Sequence, residues 1–225
     1  MPTRLIDLSS DNGLGVVKII SSHTLGMRSA YATLSYCWGG DQSVKTTMST
    51  IDRQQNSIQI DTLGRTLQDA IKVARSLGIP FLWIDSLCII QDDPADVSAE
   101  ISKMLEYYEN SHVSICAATA SHSHDGFLAQ RYDNPYLNGP FELPYRGPDN
   151  RLGSVQVAQY LPYCSSEEPV KSRAWILQES LLAPRILSYS YRSLAWSCRR
   201  QNQNDGGPSR FYDFSERAAW VRARI

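Results

Sequence analysis

The chain has 225 residues, of which 42% are hydrophobic and 20% charged, a balance typical of a globular protein with one sizeable core. Lys plus Arg (22) nearly equal Asp plus Glu (23), so no overall field favours binding to nucleic acid or to an anionic membrane. No stretch approaches the ~20 apolar residues that span a bilayer, and the five cysteines are scattered without a C-x-x-C pair. We therefore expect a cytoplasmic protein with reduced cysteines, no metal site, and neither membrane nor nucleic acid as a partner.

The first predicted elements are a strand followed by a helix. Residues 31–37 are β-branched and aromatic and stop at residues 38–41, Trp-Gly-Gly-Asp, which indicates a strand that enters a tight turn. Glycines in that turn let a ligand approach the backbone. Apolar residues then recur at helical spacing over 66–77, with Thr66 as the predicted cap and Gly78 closing the helix.

A second strand and a second helix follow. Residues 81–90 are almost entirely apolar, which predicts a strand buried on both faces, as in a parallel sheet covered by helices. Asp85 interrupts this run. Asp93 and Pro94 predict the N-cap and first residue of the next helix, and residues 113–119 predict a third core strand. The apolar stripe of that second helix comprises Val97, Ile101, Met104, Leu105 and Tyr108.

The alternation of strand and helix predicts an α/β fold with a mostly parallel central sheet flanked by helices. Residues from about 121 to 171 are rich in proline and predict an irregular insertion, with one convincing strand around 155–160. A helix over 173–182 and a C-terminal β-hairpin over 185–198 come next. Residues 199–225 form an Arg-rich tail, whose nearby acidic residues favour a solvated surface over nucleic-acid binding.

Four segments carry a resemblance to a known family. They read LSYCWGG (34–40), TLQDAI (66–71), LWIDSLCIIQDD (82–93) and RAWILQE (173–179). Together they resemble the fungal heterokaryon-incompatibility (HET) domain, with Val97 at a position where the family usually has tryptophan. The resemblance implies that residues 1–198 form the HET domain and that the tail follows it.

The resemblance also implies a function. HET domains trigger programmed cell death when self and non-self meet, and they are distantly similar to TIR domains. Some TIR domains cleave NAD at its nicotinamide glycosidic bond, using a glutamate on a helix that follows a central strand. A TIR-like or flavodoxin-like core is then expected, with NAD as substrate and no required cofactor. Glu100 matches this position as the catalytic carboxylate; alternatively it is a first-turn acid paired with Lys103.

The ligand-binding candidates lie in the same motifs. Tyr36, Trp38 and Gly39 follow the first strand, where open α/β sheets bind ligands, and Trp38 is suited to stack on a nicotinamide or adenine ring. The alternative is that this turn packs against the helix of the last motif. Asp85 needs a partner in its apolar run, either in a structural pair with Arg173 or in a site. The remaining ligand-binding candidates are Asp92, Trp175, Gln178 and Glu179.

Two other groups of residues favour structural roles over chemistry. Cys37 and Cys88 would need a nearby histidine to act as nucleophiles, and the histidines lie outside the four motifs. His122 and His124 have metal-ligating side chains at close spacing, but in a polar loop without a partner motif they favour a solvated turn.

Three functional hypotheses follow. The first is a HET effector with TIR-like NAD hydrolysis, which predicts a pocket that joins Trp38, Asp85 and Glu100. The second is a non-catalytic module that assembles with itself or with a partner HET or NLR-type protein, which predicts exposed apolar helix faces. The third is a stand-alone HET-like enzyme that uses the same pocket for unrelated small-molecule chemistry, such as fungal secondary metabolism. A nucleotide-like small molecule is a further expected partner.

Overall fold

A computed structural model describes residues 1–9, 15–24, 29–128, 141–148, 150–157, 168–191 and 194–204. Its strands are β1 (Arg4–Asp7), β2 (Val16–Ser21), β3 (Tyr31–Ser35), β4 (Ile58–Gln59), β5 (Phe81–Trp83), β6 (Val113–Cys116), β7 (Phe141–Arg146), β8 (Leu152–Val157), β9 (Arg185–Tyr189), β10 (Leu194–Cys198) and β11 (Asn202–Asn204). Its helices are α1 (Ile51–Asn56), α2 (Arg65–Ser76), α3 (Asp85–Cys88), α4 (Pro94–Glu109) and α5 (Ile176–Leu182).

The main sheet has nine strands in the order β11-β10-β9-β6-β3-β5-β1-β2-β4, and β7 and β8 form a separate antiparallel pair. The pairings β5–β3, β3–β6 and β6–β9 are parallel, and the other five are antiparallel. The α/β class is therefore confirmed, but a sheet that is parallel in most of its pairings was a wrong prediction. Only the centre is parallel, because β1 and β10 return beside their neighbours in the opposite direction.

Helix α2 follows its sequence pattern closely. Its apolar positions Leu67, Ala70 and Ile71 are buried in the main core, and Gly78 adopts a φ of 68° just beyond its end, as a closing glycine should. Its cap differs from the prediction. Gly64 holds the cap position, and the predicted cap, Thr66, instead donates its hydroxyl to a neighbouring loop.

The apolar run 81–90 is not one long strand. Strand β5 ends at Trp83, and the chain turns at once into the short helix α3, which begins at Asp85. The Asp85 side chain accepts a hydrogen bond from the Ser86 N–H at 2.7 Å, and Cys88 N donates to Ile84 O at 2.7 Å. Asp85 therefore lies just beyond the carboxyl end of β5 and not inside a strand.

Helix α4 begins as predicted but turns a different face inward. Asp93 accepts a hydrogen bond from the Ala95 N–H at 3.0 Å, and Pro94 is the first helical residue. Ile101 and Leu105 of the predicted apolar stripe are exposed. The Trp83 ring packs edge-on against the rings of Tyr107 and Tyr108, with ring centroids 5.6 and 5.9 Å apart. This packing determines which face of α4 is buried. The buried side chains of the helix are Glu100, Met104, Tyr107 and Tyr108.

The later elements match the predictions in part. Strand β8 covers the first residues of the predicted strand 155–160, and residues 158–160 lie outside the described part of the chain. The predicted helix 173–182 is confirmed from Ile176, after a 3₁₀ turn over Pro169–Ser172. Strands β9 and β10 confirm the C-terminal hairpin, which joins the main sheet. Within the described ranges, no helix is both long and apolar enough to cross a membrane.

Candidate functional site

The carboxyl ends of β3 and β6 meet where the chain reverses its direction of travel across the sheet. From β3 the chain crosses through α2 to β5 on one side, whereas β6 lies on the other side of β3 and leads on to β9. Ligands of open α/β sheets bind in the crevice at such a reversal. Tyr36 and Trp38 follow β3, and Asp85 follows β5, so these predicted residues stand at this edge.

Asp85 is the centre of a hydrogen-bond network at the edge. Its Oδ2 accepts from Trp38 Nε1 at 2.9 Å, and Tyr36 OH donates to Ser86 Oγ at 2.9 Å. Burial raises the pKa of Asp85, while the charge of Arg173 and the Trp38 hydrogen bond oppose that rise. Burial likewise raises the pKa of Tyr36, with Asp85 adding to the effect. The indole of Trp38 is thus held in place by a partly buried carboxylate.

Glu179 forms the second centre of charge. It is 3% exposed, and its Oε2 accepts hydrogen bonds from Ser35 Oγ and, at 3.3 Å, from Arg173 Nη1. Burial raises the pKa of Glu179, and Arg173 opposes the rise. The sequence suggested Arg173 as the partner of Asp85. Its direct contact is with Glu179, but its positive charge acts on both carboxylates.

The other residues of the last motif divide between surface and interior. Trp175 stands at the N-cap of α5 and is 46% exposed. The Oε1 atom of Gln178 is buried and, among the described residues, has no hydrogen-bond partner. Such an acceptor is costly when unpaired and is suited to a donor from a ligand. Asp92 lies farther out, where its Oδ1 accepts the Met48 N–H at 2.7 Å.

Glu100 is held away from the Trp38–Asp85 contact. It is 2% exposed, and its two oxygens accept from Thr3 Oγ1 at 2.5 Å and from Tyr107 OH at 3.1 Å. The side-chain contacts of Glu100 are therefore with the start of β1 and with its own helix. Of the three residues expected to share a pocket, Trp38 and Asp85 are in direct contact, whereas the Glu100 side chain contacts Thr3 and Tyr107.

The loop over residues 121–126 is a part of the site that the sequence did not reveal. Ser123 N donates to Trp38 O at 3.2 Å, and Asp125 accepts the N–H of His122 at 2.9 Å. A Cβ atom on Gly39 would lie 2.2 Å from His122 Cδ2. The absence of a side chain at Gly39 therefore allows this loop to pack against it, independently of any role in ligand binding. The loop also packs closely against Gly64, where a Cβ atom would collide with Ser123. The glycines at positions 39 and 64 are the trace that this packing leaves in the sequence.

The cysteines near the site are poorly suited to nucleophilic chemistry. Cys37, Cys88 and Cys116 are free and buried. Burial raises the pKa of Cys37, and it raises those of Cys88 and Cys116 to about 12. Their thiolates, the reactive forms, are disfavoured near neutral pH.

The fold and the site define a class: an α/β protein whose parallel strands end beside the buried carboxylate of Glu179, the partly buried carboxylate of Asp85, an arginine and a tryptophan. The family model described as "Heterokaryon incompatibility protein (HET)" matches residues 31–179, the span that contains these groups. The chain belongs to the HET family, as its sequence motifs predicted. No curated protein and no solved structure matches it.

Proposed function

We propose that this chain is an effector of fungal self/non-self recognition that triggers cell death by hydrolysing NAD at the bond between nicotinamide and ribose. The observation that supports this proposal most is the position of Glu179. A carboxylate held by Ser35 and Arg173 stands at the reversal of strand order, where α/β sheets bind their ligands.

Glu100 lies on α4, which follows the parallel strand β5 and the short helix α3, whereas Glu179 lies on α5, which follows the antiparallel pair β7–β8 and leads into β9. Glu179 is the stronger candidate for two reasons. The positive charge of Arg173 favours the ionised form of Glu179, and Ser35 links its side chain directly to β3. Glu100 is enclosed by Thr3 and Tyr107. The four parallel strands also run in the spatial order second, first, third, fourth, which is how flavodoxin-like sheets begin.

The chemistry requires an anionic group near the ribose. As the bond between C1′ and the nicotinamide nitrogen breaks, its electron pair leaves with neutral nicotinamide and positive charge develops on the ribose. The Glu179 carboxylate stabilises this charge, water adds to C1′, and the water releases one proton. The products are nicotinamide and ADP-ribose. Trp38, fixed by Asp85, offers a face on which the nicotinamide ring stacks.

Access to Glu179 depends on a change in its surroundings. A side chain that is 3% exposed meets a substrate only after α5 or the segment before it shifts. Exposed apolar side chains occupy the outer faces of two neighbouring helices, Leu177 and Leu181 on α5 and Ile101 and Leu105 on α4. Assembly of several copies through these faces is the expected means of shifting α5.

The test is nicotinamide release from NAD by concentrated purified protein. We expect release by the parent and by Glu100→Gln, and loss of release in Glu179→Gln, with the exposed Glu106→Gln as matched control. Loss in Glu100→Gln alone would return the chemistry to Glu100, and release by both variants would move it elsewhere. No release from a folded, concentrated parent would overturn the hydrolase proposal.

The same exposed helix faces favour a second candidate, a non-catalytic module that works by homotypic assembly. Light scattering over a range of protein concentrations distinguishes it. Concentration-dependent oligomers without nicotinamide release would favour assembly, and a monomer at all concentrations would exclude it for the isolated chain.

A further inference from the structure

An open cavity of about 350 Å³ lies at the surface beside the turn that carries Trp38, and its lining contains none of the candidate catalytic residues. Its lining consists of residues 41–45, Thr47, Thr50, Arg53 and Gln54. The volume falls in the range of small-molecule sites, roughly 300–1,000 Å³. It is therefore large enough for an organic ligand and not only for a bare ion.

The walls of this cavity are held in place by buried hydrogen bonds. Thr46 N donates to Ser86 O at 3.0 Å, and Gln91 N donates to Thr46 O at 2.8 Å, so the loop is tied to α3. Thr46 Oγ1 contacts Gln54 Oε1 at 2.7 Å. Gln42 Nε2 donates to Trp38 O at 2.9 Å, which joins the cavity to the turn of the candidate site. A site with fixed walls binds without a large ordering cost.

The lining combines hydrogen-bond donors with apolar surface. Lys45 and Arg53 supply positive charge, hydroxyls come from the serine and threonine residues, and Val44 is the one aliphatic lining residue. Asp41 is the one acidic lining residue, and its Oδ1 lies 2.5 Å from Lys45 Nζ. Because the Asp41 side chain is 80% exposed, this pair is a weak surface ion pair. Lys45 is free to turn from Asp41 to a ligand.

We propose that this cavity binds a small molecule that carries a phosphate group. Lys45 and Arg53 contact the phosphate oxygens as charge-assisted donors, and the hydroxyls of Thr47 and Thr50 line the remaining space. This inference does not rest on NAD hydrolysis, since none of the cavity residues is Glu179, Glu100 or a partner of either.

Calorimetric titration with inorganic pyrophosphate and with ADP tests the proposal. We expect Lys45→Ala and Arg53→Gln each to weaken binding about tenfold, as loss of one charge-assisted hydrogen bond does. Asp41→Asn should tighten binding, because Lys45 loses its competing partner. Lys72→Ala is the control, since it removes another lysine that pairs with a nearby aspartate, Asp69 on α2.

The outcomes separate the sources of the phosphate. Tighter binding of ADP than of pyrophosphate would support a nucleotide, and equal binding would support recognition of the phosphate groups alone. The proposal is overturned if neither probe binds the folded parent at millimolar concentration. It is also overturned if Lys45→Ala and Arg53→Gln bind as the parent does, or if Lys72→Ala weakens binding equally. The titration contains no NAD and measures binding, not nicotinamide release, so failure of the hydrolase proposal leaves this result intact.

Discussion

Replacing Gly39 with alanine should destabilise the protein through two separable effects. Gly39 has a φ of 72°, a left-handed conformation that costs an alanine roughly 1–2 kcal/mol. The new Cβ would also lie 2.2 Å from His122 Cδ2 and 2.6 Å from His122 Cα. The second atom belongs to the backbone of a loop fixed by Ser123 and Asp125, so relieving the clash should cost about 1–3 kcal/mol more. We expect a total loss of about 2–5 kcal/mol.

Gly78→Ala is the control for the conformational part. Gly78 has a φ of 68°, and a Cβ there meets nothing within 4 Å, so its loss should stay near 1–2 kcal/mol. Urea unfolding followed by tryptophan fluorescence gives both free energies by linear extrapolation. Equal losses for Gly39→Ala and Gly78→Ala would refute the argument that the His122 loop requires glycine at position 39.

Two further predictions concern buried polar groups. Thr33 Oγ1 is buried without a partner in the described structure, so Thr33→Val should leave stability unchanged or raise it by about 1 kcal/mol in the same urea assay; a loss above 1 kcal/mol would reveal a hidden hydrogen bond. The second concerns Glu179, whose pKa is raised in the folded state by burial. Protonation of Glu179 therefore contributes stability that is fully present below the pKa of this carboxyl in the unfolded state and is lost as pH rises through its folded-state pKa. The free energy lost is about 1.4 kcal/mol for each unit by which the folded-state pKa exceeds the unfolded-state pKa. The unfolding free energy of the parent minus that of Glu179→Gln should therefore fall from pH 4 to pH 8, and a flat difference would contradict the raised pKa.

Capping residues in the sequence correctly predicted the end of α2 and the start of α4. Gly78 closes α2 and Asp93 caps α4, as their sequence contexts indicated. The run 81–90 has no periodicity to divide it, and its strand stops at Trp83 because the chain turns into α3 there. The inner face of α4 was likewise chosen by a tertiary contact, the Trp83 ring against Tyr107 and Tyr108.

The candidate site was predicted in its residues but not in its pairings. Tyr36, Trp38, Asp85 and Glu179 were all named from motifs, yet Glu179 lies 144 residues from its partner Ser35. No local pattern reports a contact over such a separation. The sequence favoured Glu100 because it follows the Asp92–Asp93 loop of the third motif and matches the TIR glutamate by resemblance. Its enclosure by Thr3 depends on β1 pairing beside β5, which periodicity alone could not show.

The arrangement of the main sheet also determines which strand edges are covered. The matched segment 31–179 supplies the parallel strands β3, β5 and β6. The outer edge of β5 is covered by β1, and that of β6 by β9, and both covering strands lie outside the segment. An uncovered strand edge is a template for another chain. Strands outside the family match thus cover both edges of the three central parallel strands. Displacing either covering strand would expose an unpaired edge, to which a strand from another molecule can add.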